Sequence, residues 1–197
     1  MDRVAELMFR AGMIRVGRFR LTSGIESPYY IDLRKLYSYP SLAREIAETM
    51  IARINVYRFE ALVGIATAGI ALASYVAALS GLPMGYVRSE RKEHGTMSVV
   101  EGAVEGLRVL ILDDVATTGG SIERAYRALR EAGAKPVAAA VVVDRCQGAR
   151  ERLESLGLEF ASLFTARQLI ESLRRKGLIS EGDYERVVRY IESFKKS

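Results

Sequence analysis

The sequence predicts an α/β fold, a central parallel sheet flanked by helices, behind a small N-terminal piece of one helix and two strands. Three observations predict it. From Ala61 onward, short apolar runs of strand length alternate with stretches whose apolar residues recur at helical spacing. The runs Val109 to Leu112 and Pro136 to Val143 are apolar without alternation, as in strands covered by helices on both faces. Two strand-to-helix junctions, Gly64 to Ile70 and Asp113 to Ser121, consist mainly of small, hydroxylated or acidic residues, and ligands bind at such strand ends in open parallel sheets. The 197 residues suit a single domain, with the N-terminal piece over about residues 1–40 and the α/β core and C-terminal helices over about residues 41–197.

Each element has its own signal. Asp2 to Gly12 reads as an amphipathic helix, with Val4, Leu7, Met8 and Ala11 on one side and Gly12 as its stop. Ile14 to Leu21 reads as a strand, and Ser23-Gly24 and Ser27-Pro28 mark a turn into a second one. Pro40 and Ser41 open a helix to about Asn55 whose buried stripe is Leu42, Ile46, Met50 and Ile54. Ala61 to Ile65 is a strand. The helix Gly69 to Leu79 is apolar nearly all round, which predicts burial in the core or against a second subunit. Leu82 to Val87 is the next strand, followed by a long charged loop, Arg88 to Gly102. Asp113 and Asp114 end the run Val109 to Leu112. Ile122, Ala125, Leu129 and Ala132 then keep one helix face, and Gly133 stops it. Ala149 to Leu156 is helical and Leu158 to Phe164 is a last strand. Thr165 caps a helix to about Lys176. Ser180 to Asp183 opens the final helix, with Tyr184, Val187, Val188 and Ile191 inward.

Composition narrows the function. Apolar residues make up 49% and charged residues 27% of the chain, as in a globular protein. No apolar run approaches the roughly 20 residues that span a bilayer, and the start, Met1 to Glu6, lacks a signal-peptide core. A cytoplasmic protein with no membrane partner is expected. Cys146 is the only cysteine and His94 the only histidine, which removes disulfide frameworks and Cys- or His-rich metal sites. The net charge of +5 suits a polyanionic ligand. Nucleic acid is the competing partner, but the basic residues are interleaved with acidic ones, as in Arg150-Glu151-Arg152, which is the pattern of a solvated helix face.

The junction Asp113-Asp114-Val115-Ala116-Thr117-Thr118-Gly119-Gly120-Ser121 carries the chemistry. Thr, Gly and Ser ahead of a helix expose backbone N–H groups with little side-chain bulk, and the helix dipole adds partial positive charge, so an anion the size of phosphate fits. The two carboxylates can accept from sugar hydroxyls or help to hold magnesium. A ligand with a phosphate beside a ribose would satisfy both. Gly64 to Ile70 repeats the logic through Ala66, Thr67, Ala68 and Gly69, although by itself it is also an ordinary strand-helix turn. The loop Arg88 to Gly102 reads first as a solvated surface loop. Arg88, Lys92 and His94 on it could also close over a polyphosphate and exclude water. Arg145 follows a central strand, either as an Asp-Arg surface pair or as a ligand contact at the crevice.

Leu110 to Ser121 resembles the phosphoribosyl-pyrophosphate (PRPP) signature of the type I phosphoribosyltransferases. Phe19-Arg20-Leu21-Thr22-Ser23-Gly24-Ile25-Glu26-Ser27-Pro28-Tyr29-Tyr30, followed by Asp32 and Arg34, resembles the N-terminal hood of the family's orotate branch. Arg88, Lys92 and His94 fall on that branch's catalytic loop, and Val143-Asp144-Arg145 on its orotate contact. Thr22 and Ser89 stand where lysines are common. The resemblance implies the type I phosphoribosyltransferase fold and the transfer of ribosyl phosphate from PRPP to orotate in pyrimidine biosynthesis. It implies Asp113 and Asp114 on the ribose, holding Mg2+ indirectly through PRPP and water, and residues 115–121 around PRPP. Thr117 and Arg145 would contact orotate, the Ala66–Gly69 loop would take pyrophosphate, and the Arg88–Gly102 loop would be shared across a homodimer. Another base, or a PRPP-sensing regulator without catalysis, is the alternative.

Overall fold

The computed structural model describes residues 2–20, 24, 26–89 and 99–194. Helix α1 (Asp2–Arg10) leads into an antiparallel pair, β1 (Ile14–Arg20) and β2 (Glu26–Ile31), with Ile14 opposite Ile31. A 3-10 turn (Leu33–Ser38), with Asp32 accepting from the Arg34 N–H at its start, delivers the chain to α2 (Pro40–Ile54). The core follows as β3 (Ala61–Ile65), α3 (Ala68–Ser80), β4 (Met84–Val87), β5 (Val100–Glu101), β6 (Arg108–Ala116), α4 (Gly120–Glu131), β7 (Lys135–Asp144), α5 (Ala149–Ser155) and β8 (Glu159–Thr165). Helices α6 (Ala166–Arg175) and α7 (Glu181–Ser193) close it.

The sheet has the order β5-β4-β3-β6-β7-β8, parallel throughout except for the short edge strand β5. Successive residues of one strand serve opposite cores. Leu110, Leu112, Ala138, Ala140 and Val142 join Ile46, Leu72 and Leu169 on one face. Val109, Ile111, Ala139 and Val141 join Ile122, Leu129 and Leu153 on the other. That double coverage is why these strands read as unbroken apolar runs. The order reverses between β3 and β6, so the crevice opens at their C-terminal ends.

The N-terminal piece is tied to the end of the chain. Asp2 accepts from the Ser172 hydroxyl at 2.6 Å and from Arg175 at 2.7 Å, and Val4, Ala5 and Met8 are buried. The hairpin backs onto α7, where Tyr190 meets the Tyr29 ring edge-on at 6.0 Å. The N-cap at Thr165 is a full capping box with Gln168.

Two expectations are corrected. The acidic pair does not end its strand, because β7 keeps pairing β6 as far as Ala116 opposite Asp144, while β3 stops at Gly64 opposite Leu112. Asp113 and Asp114 are therefore strand residues with a neighbour on one side and the crevice on the other. Residues 88–102 are not loop throughout, since Val100–Glu101 pairs with β4. Within one chain, helix α3 is covered by the core on one face only. Leu72, Ala73, Val76 and Ala77 pack inward, and Leu79 is 39% exposed. Leu7 lies at the rim of α1's buried stripe, 36% exposed.

Candidate active site

The loop after β6 is shaped by one glycine. Gly119, with φ 77°, turns the chain into α4 from the left-handed region that only glycine enters freely, and a Cβ there would lie 3.2 Å from Ala149 Cα. No side chain caps α4, so its first N–H groups stay available to a ligand. Asp113, residues 115–122 and Arg124 line a cavity of about 170 Å³. Arg124 donates to Ser121 Oγ at 3.2 Å. A Cβ on Gly120 would sit 3.6 Å from Arg124 Nη1 and 3.7 Å from Arg152 Nη1, so two guanidinium groups flank the turn.

Asp113, which lines this cavity, and Asp114 next to it are both half-buried. Asp113 Oδ1 accepts from the Asp114 N–H at 2.9 Å, and Asp114 Oδ1 from the Val115 N–H at 2.8 Å. Burial raises both carboxyls above the ordinary aspartate value. For Asp113 the neighbouring Asp114 charge adds to the rise, whereas the backbone donors hold both back. Among the described residues neither has a cationic partner within salt-bridge distance. A pair held this way is suited to sugar hydroxyls or to an approaching cation.

The loop after β3 faces the same crevice. A Cβ on Gly69 would lie 2.5 Å from the Leu112 carbonyl oxygen and 3.1 Å from Asp113 Oδ1. A Cβ on Gly64 would lie 2.5 Å from the Gly69 carbonyl oxygen. The start of α3 is thus pressed onto the acidic strand, with no room for a side chain at Gly64 or Gly69. The Ala66–Thr67 peptide is cis. Tyr37 donates its hydroxyl to the Ala68 carbonyl at 3.3 Å; burial, and then the charges of Asp114 and Asp113, push its ionisation well above the usual tyrosine range.

Ala66 N–H donates to the Val87 carbonyl at 2.9 Å, which sets Arg88 beside that loop. Arg88 reaches Glu101 at 3.4 Å across the neck of the 88–102 segment, and its N–H donates to Val99. Thr22, Arg91, Lys92 and His94 lie outside the described residues.

Arg145 follows β7, and its N–H donates to the Ala116 carbonyl at 2.9 Å, next to Thr117. Its side chain is buried, at 6% exposure, and turns to the hairpin rather than to an acid. Nε donates to Tyr29 Oη at 3.2 Å and Nη2 to Ser27 Oγ at 3.3 Å, with the guanidinium 4.6 Å from the Tyr29 ring centre. The neighbouring Asp144 accepts from the Cys146 N–H instead. The surface-pair reading of Asp144-Arg145 is therefore set aside. The structure brings together the acidic pair, residues 115–121, residues 66–69, Arg88 and Arg145 at one end of the sheet. Sequence reasoning had no signal for Tyr37, and none for Arg124 as a lining residue.

Residues 33–156 match the family described as phosphoribosyl transferase domain. The orotate phosphoribosyltransferase of Staphylothermus marinus is 44% identical over 190 residues, covering 96% of this chain and 94% of that one. The corresponding protein of Sulfolobus acidocaldarius is 39% identical over 97% of this chain and 96% of its own. Among solved structures, orotate phosphoribosyltransferase from Aeropyrum pernix superposes with a TM-score of 0.78 at 35% identity, over 90% of this chain and 99% of that one. Leishmania donovani UMP synthase gives 0.89 at 32% identity, over 98% of this chain and 42% of its own.

Proposed function

The chain belongs to the phosphoribosyl transferase family, in its orotate branch, and from that premise we propose how its residues divide the work. The reaction transfers ribosyl phosphate from PRPP to orotate, giving orotidine 5'-phosphate and pyrophosphate in pyrimidine biosynthesis. The observation that carries the division is the convergence, at one crevice, of an anion cradle, an acidic pair and a buried arginine that has no carboxylate partner among the described residues.

Residues 117–121 hold the 5-phosphate through backbone N–H groups at the start of α4. Asp113 and Asp114 accept from the ribose hydroxyls and fix the sugar. Ala66, Thr67, Ala68 and Gly69 receive pyrophosphate, and Arg88, Lys92 and His94 counter the charge that builds on it as the ribose carbon gains oxocarbenium character. Thr117 and Arg145 hold orotate; a planar guanidinium fork matches its carboxylate. No covalent nucleophile is required. The acidic pair fits Mg2+ held indirectly, since its mutual repulsion is relieved by an added cation, and Mg2+ when bound would neutralise pyrophosphate charge.

We further propose a homodimer, with a second copy covering the outer face of α3 around Leu79 and exchanging the Arg88–Gly102 segment. A cytoplasmic location accords with an N-terminal helix whose Val4, Ala5 and Met8 belong to the core. No nucleic-acid role is proposed, because surface arginines pair with acids one turn away, as Arg127 does with Glu123 and Arg150 with Glu154.

The test is orotate consumption followed by ultraviolet absorbance with PRPP and magnesium. Loss that requires both supports the reading. Turnover of uracil or adenine in place of orotate would overturn the assignment of Arg145, and PRPP binding without any turnover would overturn the catalytic roles.

A further inference from the structure

We propose that Ser27 and Tyr29 are positioning residues that aim Arg145, so that the hairpin and the sheet read the orotate carboxylate as one unit. This rests on the reading of Arg145 given above, and adds two residues that the family motif marks only as part of the hood.

All three residues are buried, with only the guanidinium of Arg145 still in reach of the crevice: Arg145 is 6% exposed, Ser27 2% and Tyr29 0%. A buried guanidinium without a counter-ion is costly, and removing water from it demands that its donors be met. Tyr29 Oη takes Nε and Ser27 Oγ takes Nη2. Each hydroxyl is held ready for that task. Ser27 Oγ donates its own proton to the Tyr29 carbonyl at 2.7 Å and accepts from the Tyr29 N–H at 3.4 Å, which fixes the hydroxyl and leaves acceptor capacity for the guanidinium. The Tyr29 ring lies against the guanidinium, with Cζ 4.6 Å from the ring centre, and is itself braced edge-on by Tyr190 of α7 at 6.0 Å. Both rotation about the long side chain and tilt of its plane are thereby restricted.

What remains is directional. Nη1 has no acceptor among the described residues, and no carboxylate there lies within ion-pair distance of Arg145. The hydroxyls satisfy one side of the fork without neutralising it, which an aspartate or glutamate in their place would do. A guanidinium kept charged and pre-aimed binds an incoming carboxylate with little ordering cost. The anchoring groups lie 116 and 118 positions away in sequence, on the hairpin. Displacement of the hairpin would therefore loosen Arg145 as well as uncover the base.

The test compares Tyr29→Phe, which keeps the ring and loses the hydroxyl, with Ser27→Ala in steady-state kinetics. Each is expected to raise KM for orotate about tenfold while KM for PRPP stays unchanged. In an Arg145→Ala background the same two substitutions are expected to add nothing, an outcome that a merely structural role would not produce. Thermal unfolding of Tyr29→Phe reports whether the fold is intact. An unchanged KM for orotate in Tyr29→Phe would overturn the proposal, as would equal rises for both substrates or additive losses in the Arg145→Ala background. Failure of the unaltered protein to consume orotate would overturn the underlying reading, and is seen before any variant is made.

Discussion

The loops after β3 and β6 stand in equivalent places at the head of the sheet and are built in opposite ways. After β6, Gly119 is glycine chiefly because its backbone sits at φ 77°, with Ala149 Cα a lesser constraint at 3.2 Å from the place of a Cβ, and the cavity it frames is lined largely by polar groups. At the β3 junction, Gly64 within the strand and Gly69 in the first turn of α3 have no such backbone angle. They are glycines because each lies where a Cβ would meet a carbonyl oxygen at 2.5 Å. One loop owes its shape to local conformation, the other to the strand it is pressed against. A local constraint is readable from neighbouring residues, whereas a close approach is visible only once the partner is in place. The difference also ranks how much damage a small substitution should do in each.

The largest effect is expected from Gly69→Ala. The added methyl meets Leu112 and Asp113 backbone and must push the loop off the acidic strand, and a displacement of about 1 Å costs on the order of 100-fold in turnover. Overpacking adds about 1–3 kcal/mol of lost stability. Wild-type kinetics for PRPP would break the claim that this loop is held by contact.

Asp113→Asn sharpens the comparison from the other side of that contact. The folded-state carboxyl is raised above its unfolded value, chiefly by burial and then by Asp114. Its contribution to stability is therefore fully present below the unfolded value near 3.8 and is lost as pH rises through the raised folded value. Because the folded-state value is raised, ionisation of Asp113 works against folding, and asparagine can still accept from the Asp114 N–H. The variant should thus melt higher than the wild type at pH 7, by a margin that shrinks toward pH 3, while its turnover falls. Melting scans at the two pH values check the sign; a variant less stable at pH 7 would refute the electrostatic account.

Gly119→Ala probes the other loop. The left-handed conformation costs a non-glycine residue about 1–2 kcal/mol, close to tenfold in affinity if the strain is relieved by opening the cradle. Calorimetric titration with PRPP should show that loss, smaller than for Gly69→Ala. Arg124→Ala should be mildest, about threefold in KM for PRPP, because the side chain is exposed and its charge is screened. Its effect should fade in added salt; a salt-independent effect would assign Arg124 a packing role instead.

Much of the fold could be read from the chain because its strands are covered on both faces. That coverage makes Val109 to Leu112 and Pro136 to Val143 uninterrupted apolar runs, and the helices between them keep a clean stripe. The overrun of β6 through Asp113 to Ala116 was not readable. Carboxylates disfavour a strand by composition, and only the longer partner β7 holds them there. Which face of α3 the core covers was unreadable for a related reason, since an apolar helix carries no mark of the face its own domain will take.

The site divides along the same line. The anion cradle, the acidic pair and the position of Arg145 at a strand end follow from contiguous residues, because a glycine turn before a helix and a charge after an apolar run are local events. Tertiary structure alone decided that Gly69 touches Leu112, that Tyr37 meets the Ala68 carbonyl and that Arg145 is anchored on Ser27 and Tyr29. Those contacts join segments 31 to 118 residues apart, and their geometry is set by how the sheet, the hairpin and the C-terminal helices pack, which no short stretch of sequence contains.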